Sequence, residues 1–173
     1  MKIYDVTVAM SNDVPVYEGD PSVDISAANS IKNGDAANVS RLCCGIHTAT
    51  HVDAPNHFID GTRRVHELEL EKLVGRCQVV EIDKSAAAVD VKHVKDLENV
   101  ERILFKTGNS DFWNDYSTGF RRNFTYISPA AAQILVEKNV KLVGIDYLSV
   151  EKFGSEDFPT HITLLQKEAV ILE

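Results

Sequence analysis

Residues 47–57 read His-Thr-Ala-Thr-His-Val-Asp-Ala-Pro-Asn-His. They hold three of the chain's six histidines and an aspartate. Neutral imidazole nitrogens and a carboxylate oxygen are the donors that catalytic zinc and manganese ions take. Four such groups in one short window point to a metal-centred hydrolase. The spacing adds a geometric condition. On a straight strand His47 and His51 would lie roughly 13 Å apart, too far to share an ion. On a helical turn they would stack as neighbours. Yet Thr48, Thr50 and Val52 are β-branched and Pro55 follows closely, which disfavours a helix. The expected form is a tight turn or a single helical turn. The competing reading is a loop of histidines in ordinary hydrogen bonds. It would win for one histidine and loses for this cluster.

One ion with two histidines and an aspartate needs a further protein ligand or a water. His161 and Glu173 are the later candidates. His161 follows Pro159-Thr160 at the start of a helix-like run. Glu173 follows the apolar run 169–172, so its carboxylate would sit at a strand end. Singly, each also fits a solvated residue at a helix start or a chain end. His66 and His93 lie among charged residues and read as surface groups.

The elements that must position these side chains follow from periodicity and turn chemistry. Strand-like runs are 2–8, 23–28, 38–45, 77–82, 103–105 and 141–145. Helix-like runs are 65–74, 91–98, 129–139 and 162–167. Run 129–139 is the best defined, with Ser128 as N-cap, Pro129 at the first helical position, and Ile134 and Leu135 on one face. Gly19-Asp20-Pro21, Asn33-Gly34-Asp35 and Gly108-Asn109-Ser110 are turn sequences. Strands and helices alternate after residue 60, whereas the first half is strand-rich. A mixed-sheet α/β or α+β domain is expected.

Bulk composition narrows the function. A chain of 173 residues with 44% apolar content fits one globular domain. A formal charge of −8 argues against nucleic acid or an anionic membrane surface as partner. Arg63-Arg64 and Arg121-Arg122 read as solvated surface. Cys43, Cys44 and Cys77 form neither a metal-type pair nor an even disulfide set, and are expected to be small buried hydrophobes in a reducing compartment. The first ten residues carry no signal-peptide pattern, and no apolar run is long enough to span a membrane. A cytoplasmic enzyme fits. There is no Gly-x-Gly-x-x-Gly or P-loop to hold a nucleotide, and no Gly-x-Ser-x-Gly elbow for a serine hydrolase.

The stretch from Gly45 to Phe58 resembles the signature His-x-Gly-Thr-His-x-Asp-x-Pro-x-His of the cyclase family of metal-dependent hydrolases. That family includes bacterial kynurenine formamidases and isatin-hydrolase-like enzymes. Pro15-Val16-Tyr17-Glu18-Gly19-Asp20-Pro21, Lys106-Thr107-Gly108-Asn109-Ser110 and Gly144-Ile145-Asp146-Tyr147-Leu148-Ser149-Val150-Glu151 are similar too. So is His161 followed twelve residues later by Glu173. The resemblance implies a single α/β domain with a mixed β-sheet, of swivelling β/β/α type. It implies a binuclear centre, with His47, His51, Asp53 and Glu173 on one ion and Asp53, His161 and Glu173 on the other. It implies His57 as proton donor and acceptor, Tyr17 in the substrate pocket, and a homo-oligomer. Three positions depart from the pattern. Ala49 replaces the usual glycine, Tyr17 stands where formamidases tend to carry tryptophan, and Asp146-Tyr147-Leu148-Ser149 replaces Asp-Thr-Pro-Ser. Family members usually continue for several dozen residues past the glutamate, so a C-terminal truncation is expected.

The leading expectation is a metal-dependent amidohydrolase. Its substrate would be a small aryl formamide, N-formylkynurenine-like, or a cyclic amide. Zinc is favoured over manganese, with two ions per site. The alternatives are a truncated cyclase-family protein that binds metal without turnover, and a non-enzymatic binding protein with structural histidines.

Overall fold

The computed structural model describes residues 4–173. The strands β1 (Asp24–Asn29) and β2 (Val39–Cys43) pair as an antiparallel hairpin. Gly34 turns the connection with a φ of 98°, a conformation that favours glycine. There follow β3 (Val52–Asp53), α1 (Leu70–Leu73), β4 (Gln78–Glu81), β5 (Ala88–Val89) and α2 (Val91–Val94). The second half holds β6 (Arg102–Lys106), β7 (Tyr126–Ile127), α3 (Pro129–Glu137), β8 (Leu142–Ile145), α4 (Pro159–Gln166) and β9 (Val170–Leu172).

The main sheet has the order β3-β9-β8-β6-β4. Strands β4, β6, β8 and β9 run parallel, and β3 runs antiparallel to β9. The expected mixed α/β sheet is therefore present. Ile103, Phe105, Val143, Ile145 and Ile171 project from one face into the main core. There they meet Ala131, Ala132 and Leu135 of α3 and Leu164 and Leu165 of α4. Two adjacent alanines on α3 leave room for a second helix on the same face. The other face carries a smaller cluster of Ala54, Leu68, Leu142 and Val170. Gly144 lets this face close up, since a Cβ there would lie 2.4 Å from Leu104 Cδ2 and 3.2 Å from Leu172 Cβ.

Helix α3 starts as its sequence predicts. Ser128 accepts a hydrogen bond from Ala131 N at 3.2 Å, and Pro129 occupies the first turn. Other expectations need correction. Of run 2–8, residues 2–3 lie outside the described residues and residues 4–8 form no strand. Val8 N donates to Thr50 Oγ1 at 2.8 Å instead of entering a ladder. Run 65–74 splits into one 3-10 turn and the single turn α1, because Leu68 and Glu69 are extended. Burial of Leu68 against the second sheet face draws the chain out of helical form. Run 91–98 keeps only α2, and α4 begins three residues earlier than its apolar pattern, at Pro159. The two-residue strands β5 and β7 pair in parallel and had no sequence signal. All three cysteines are free, but Cys43 and Cys77 are exposed and only Cys44 is half-buried. Cys43 is open because every residue of β2 is exposed. Among the described residues, no helix is long and apolar enough to cross a membrane.

Candidate metal centre

His47 and His51 lie in an irregular bend that leads directly into β3. The bend turns at Ala49, whose φ of 52° is left-handed and costs an L-residue about 1 kcal/mol or more. Thr48 Oγ1 donates to Gly45 O at 2.7 Å and braces the turn. This is the tight turn that the β-branched residues and Pro55 called for. It brings His47 Nδ1 to 3.1 Å from His51 Nε2. His51 Nδ1 lies 2.9 Å from Ala49 O. A carbonyl can only accept, so Nδ1 carries the proton and Nε2 keeps its lone pair.

Asp53 closes the group. Its side chain is fully buried, with Oδ1 at 2.8 Å from His47 Nδ1 and 3.5 Å from His51 Nε2. Its other oxygen, Oδ2, lies 3.7 Å from His161 Nε2. His161 Nε2 is also 3.3 Å from Glu173 Oε1. The donor atoms thus form two groups that share Asp53: His47, His51 and Asp53, and Asp53, His161 and Glu173. Glu173 falls in the second group only.

Two observations test whether these residues suit metal ions. Ligand atoms about 2.0–2.2 Å from one tetrahedral ion are roughly 3.3–3.6 Å apart. The separations above scatter around that value. The second observation is Asp53 itself. Neither carboxylate oxygen has a partner in hydrogen-bonding geometry, although both are buried. His47 is close enough but not aligned to donate. A buried, unbonded carboxylate costs several kcal/mol unless a charge compensates it. The donor set fits a divalent cation between each group.

The electrostatics carry the same demand for positive charge. Burial opposes ionisation of Asp53, but His47 and His51 outweigh it and hold the carboxyl well below the usual range. Burial opposes protonation of His161, yet Glu151, Glu173 and Asp53 push its pKa up to about 9. His51 is raised against burial in the same way, by Asp53 and the Ala49 carbonyl. Glu173 is pushed up by burial, with neighbouring Asp53 adding to the effect.

The fold explains how the distant ligands arrive. His161 sits in the first turn of α4, and Glu173 directly follows β9. Asp53 pairs with Ile171 across the β3–β9 ladder, and His51 exchanges both backbone hydrogen bonds with Glu173.

His57 borders the centre without joining either group. It lies in a 3-10 turn after Pro55, and its ring stacks on His47 at 3.8 Å between centroids. The ring is 6.3 Å from that of His161. Partial burial against these neighbours lowers its pKa, against the pull of Asp53. Tyr17 packs on Phe120 at 4.7 Å and Phe153 at 6.1 Å. Burial raises the pKa of its phenol, and the charge of Glu173 raises it further.

Sequence reasoning gave no role to Glu151. It is buried, and its Oε2 accepts from Thr160 N at 3.0 Å and His161 N at 3.2 Å. The available signal was its place at the end of stretch 144–151, which resembles the family. His66 is exposed, as expected, while His93 is half-buried and its Nδ1 accepts from Asp90 N at 2.9 Å. Arg63, Arg64 and Arg122 are surface residues, but Arg121 is half-buried and lies 4.8 Å above the Phe112 ring. In the segment that departs from Asp-Thr-Pro-Ser, Asp146 accepts from Thr107 N at 2.7 Å, and the buried Tyr147 hydroxyl accepts from Arg121 N at 2.7 Å. Both bonds hold structure around the site.

Comparison with known proteins extends the geometry. A family model described as "Putative cyclase" matches residues 4–152. Cyclase-like protein 1 of Arabidopsis thaliana is 33% identical over 180 residues, covering 98% of this chain and 70% of its own length. Kynurenine formamidase of Polaromonas naphthalenivorans (strain CJ2) is 30% identical over 177 residues, covering 100% of this chain and 76% of its own. A solved structure described as a potential metal-dependent hydrolase with cyclase activity superposes with a TM-score of 0.81 at 29% identity. It covers 99% of this chain and 80% of the other. A match of this extent, which includes the bend and strand that carry the histidine cluster, means that the chain belongs to the cyclase family.

Proposed function

We propose that this chain is a metal-dependent amidohydrolase that acts on a small aryl formamide or a cyclic amide. The carrying observation is Asp53, whose buried, unbonded oxygens face one donor group each. That arrangement supports a divalent ion at each donor group, with Asp53 common to both sets of residues that would hold them. His47 and His51 would serve the first ion, and His161 and Glu173 the second. The three imidazoles favour zinc over manganese, although the carboxylates accept both. A divalent ion bound there supplies Lewis acidity towards a carbonyl oxygen and lowers the pKa of water to about 7.

The chain's own residues do the rest. His57 stands beside the donor atoms with a nitrogen free of them, and so can give a proton to a leaving amine. Its lowered pKa leaves the neutral ring available as acceptor at neutral pH. Tyr17, Phe120 and Phe153 form an aromatic wall on which an aryl group can lie. The raised pKa of Tyr17 keeps its hydroxyl a donor. The similarity to a kynurenine formamidase supports the aryl formamide as first substrate to test. A single hydrolase domain over 1–173, a homo-oligomeric state and a cytoplasmic location complete the proposal.

The test is elemental analysis of the purified protein joined to hydrolysis assays on N-formylaniline-type and isatin-type substrates. Zinc near two equivalents with turnover of either substrate is expected. A metal-loaded protein that hydrolyses neither overturns the activity, and a protein that takes up no divalent ion overturns the whole reading.

A further inference from the structure

We propose that Glu151 is the positioning residue of the second ion: its carboxylate fixes the ring of His161 so that Nε2 faces Asp53 and Glu173. This rests on the metal reading above and goes beyond it, because Glu151 belongs to neither donor group.

The geometry is a buried carboxylate with one task on two atoms of one residue. Glu151 Oε2 accepts from the backbone N of His161 at 3.2 Å and lies 3.4 Å from its Nδ1. A carboxylate can only accept at neutral pH, so Nδ1 must carry a proton and Nε2 is the nitrogen left to offer a lone pair to a metal ion. The same oxygen takes Thr160 N at 3.0 Å. Helix α4 has Phe158 as its N-cap, in left-handed conformation and with no side-chain cap bond. Glu151 therefore supplies from outside the helix the acceptor that the cap residue lacks. Among the described residues its one ion-pair partner is His161, and no lysine or arginine neutralises it. Burial of such a charge is costly without compensation. Here the helix N-terminus, the imidazole and, through the imidazole, a cation would share it.

The neighbouring residues point the same way. Glu151 N donates to Ser149 Oγ at 3.1 Å, which fixes the carboxylate's own backbone. Val150 N donates to Glu173 Oε1 at 2.5 Å. Consecutive residues thus hold both partners that Asp53 meets in the second group: Val150 through a main-chain amide, Glu151 through its side chain. In the first group the corresponding acceptor is a main-chain one, the Ala49 carbonyl that orients His51.

The alternative is that Glu151 only caps α4. A cap requires an acceptor and has no preference between the two ion sites. Metal-free wild type, Glu151→Gln and Glu151→Leu are therefore titrated with Co²⁺, following its visible absorption and the heat of binding, with circular dichroism as a check on folding. Wild type is expected to take up two ions. In Glu151→Gln the second ion should bind about 10-fold more weakly, and in Glu151→Leu up to about 100-fold, the usual range for loss of a ligand's supporting partner. The first ion should be held within about 3-fold of wild type in both. If Glu151→Leu does not fold, Glu151→Gln decides, since it keeps an acceptor for the helix. Unchanged second-site affinity in Glu151→Gln, or equal weakening of both sites, overturns the proposal. A wild type that takes up only one ion, or none, overturns the binuclear reading as well, and so the two failures are told apart.

Discussion

His51 and Glu173, far apart in sequence, exchange both main-chain hydrogen bonds, at 3.0 and 3.1 Å. They extend the β3–β9 ladder by one pair beyond Val52 and Leu172. The approach of the two donor groups is thus set by backbone register. Side-chain rotamers need only complete it. Changes confined to side chains at the centre should alter ion binding while leaving the sheet intact.

Asp53 is the shared ligand, so its loss should differ in kind from loss of any histidine. Asp53→Asn should abolish binding of both ions. His47→Ala should reduce metal content from about two equivalents to about one, and His161→Ala should do the same at the other group. Elemental analysis of the three variants reads this directly. A full complement of metal in Asp53→Asn would contradict the bridging arrangement.

His57 should separate binding from turnover. Removal of its ring leaves every proposed ligand in place. His57→Ala should keep metal content near wild type and lower kcat by at least about 100-fold, the low end for general acid–base groups. Loss of metal in this variant would make His57 a ligand instead.

Ala49 tests the bend. Glycine at this position relieves a left-handed φ worth about 1 kcal/mol but gives up a buried methyl worth about 0.8 kcal/mol and some unfolded-state entropy. These effects nearly cancel, so Ala49→Gly should change stability by less than about 1 kcal/mol. Ala49→Val has no such compensation. A β-branched residue is strained at φ of 52° and crowded in a buried position. It should cost about 2 kcal/mol or more and weaken the first ion. Denaturant melts with and without metal give both numbers.

Removal of metal should lower the melting temperature substantially. One ion present at 1,000 times its Kd contributes about 4.1 kcal/mol. For a chain of this size, 1 kcal/mol corresponds to about 2–4 °C. A chelator should therefore lower Tm by about 8–16 °C for each ion lost, and added zinc should restore it. A melting curve indifferent to chelator would argue against ions in the folded protein.

Much of this was legible in the sequence where chemistry and spacing were local. His47, His51 and Asp53 lie within one bend, so donor types and β-branched neighbours sufficed. Helix α3 was legible because Ser128 and Pro129 mark its start. The strand ahead of Glu173 was legible from 169–172, and β9 occupies Val170–Leu172. What failed depended on distant partners. Residues 4–8 look like a strand but find a threonine hydroxyl in place of a ladder. Residues 65–74 have a helical period, but Leu68 is claimed by the sheet. Glu151 resembles any surface glutamate until α4 folds over it. The buried state expected of Cys43 failed for a similar reason, since hairpin strands are covered only if another element packs on them.

The position of β9 also orders assembly in time. It lies between β3 and β8, so among the described residues β3 joins the sheet only through β9. During synthesis the histidine bend emerges early, yet Asp53 has no sheet to enter until Val170–Leu172 has been made. Such non-local closure is slow to form. Metal capture by the complete centre must therefore wait until β9 has been made and paired. Until then, an early histidine cluster can hold an ion only loosely, and a nascent chain released before β9 would leave its metal to the cell's other chelators.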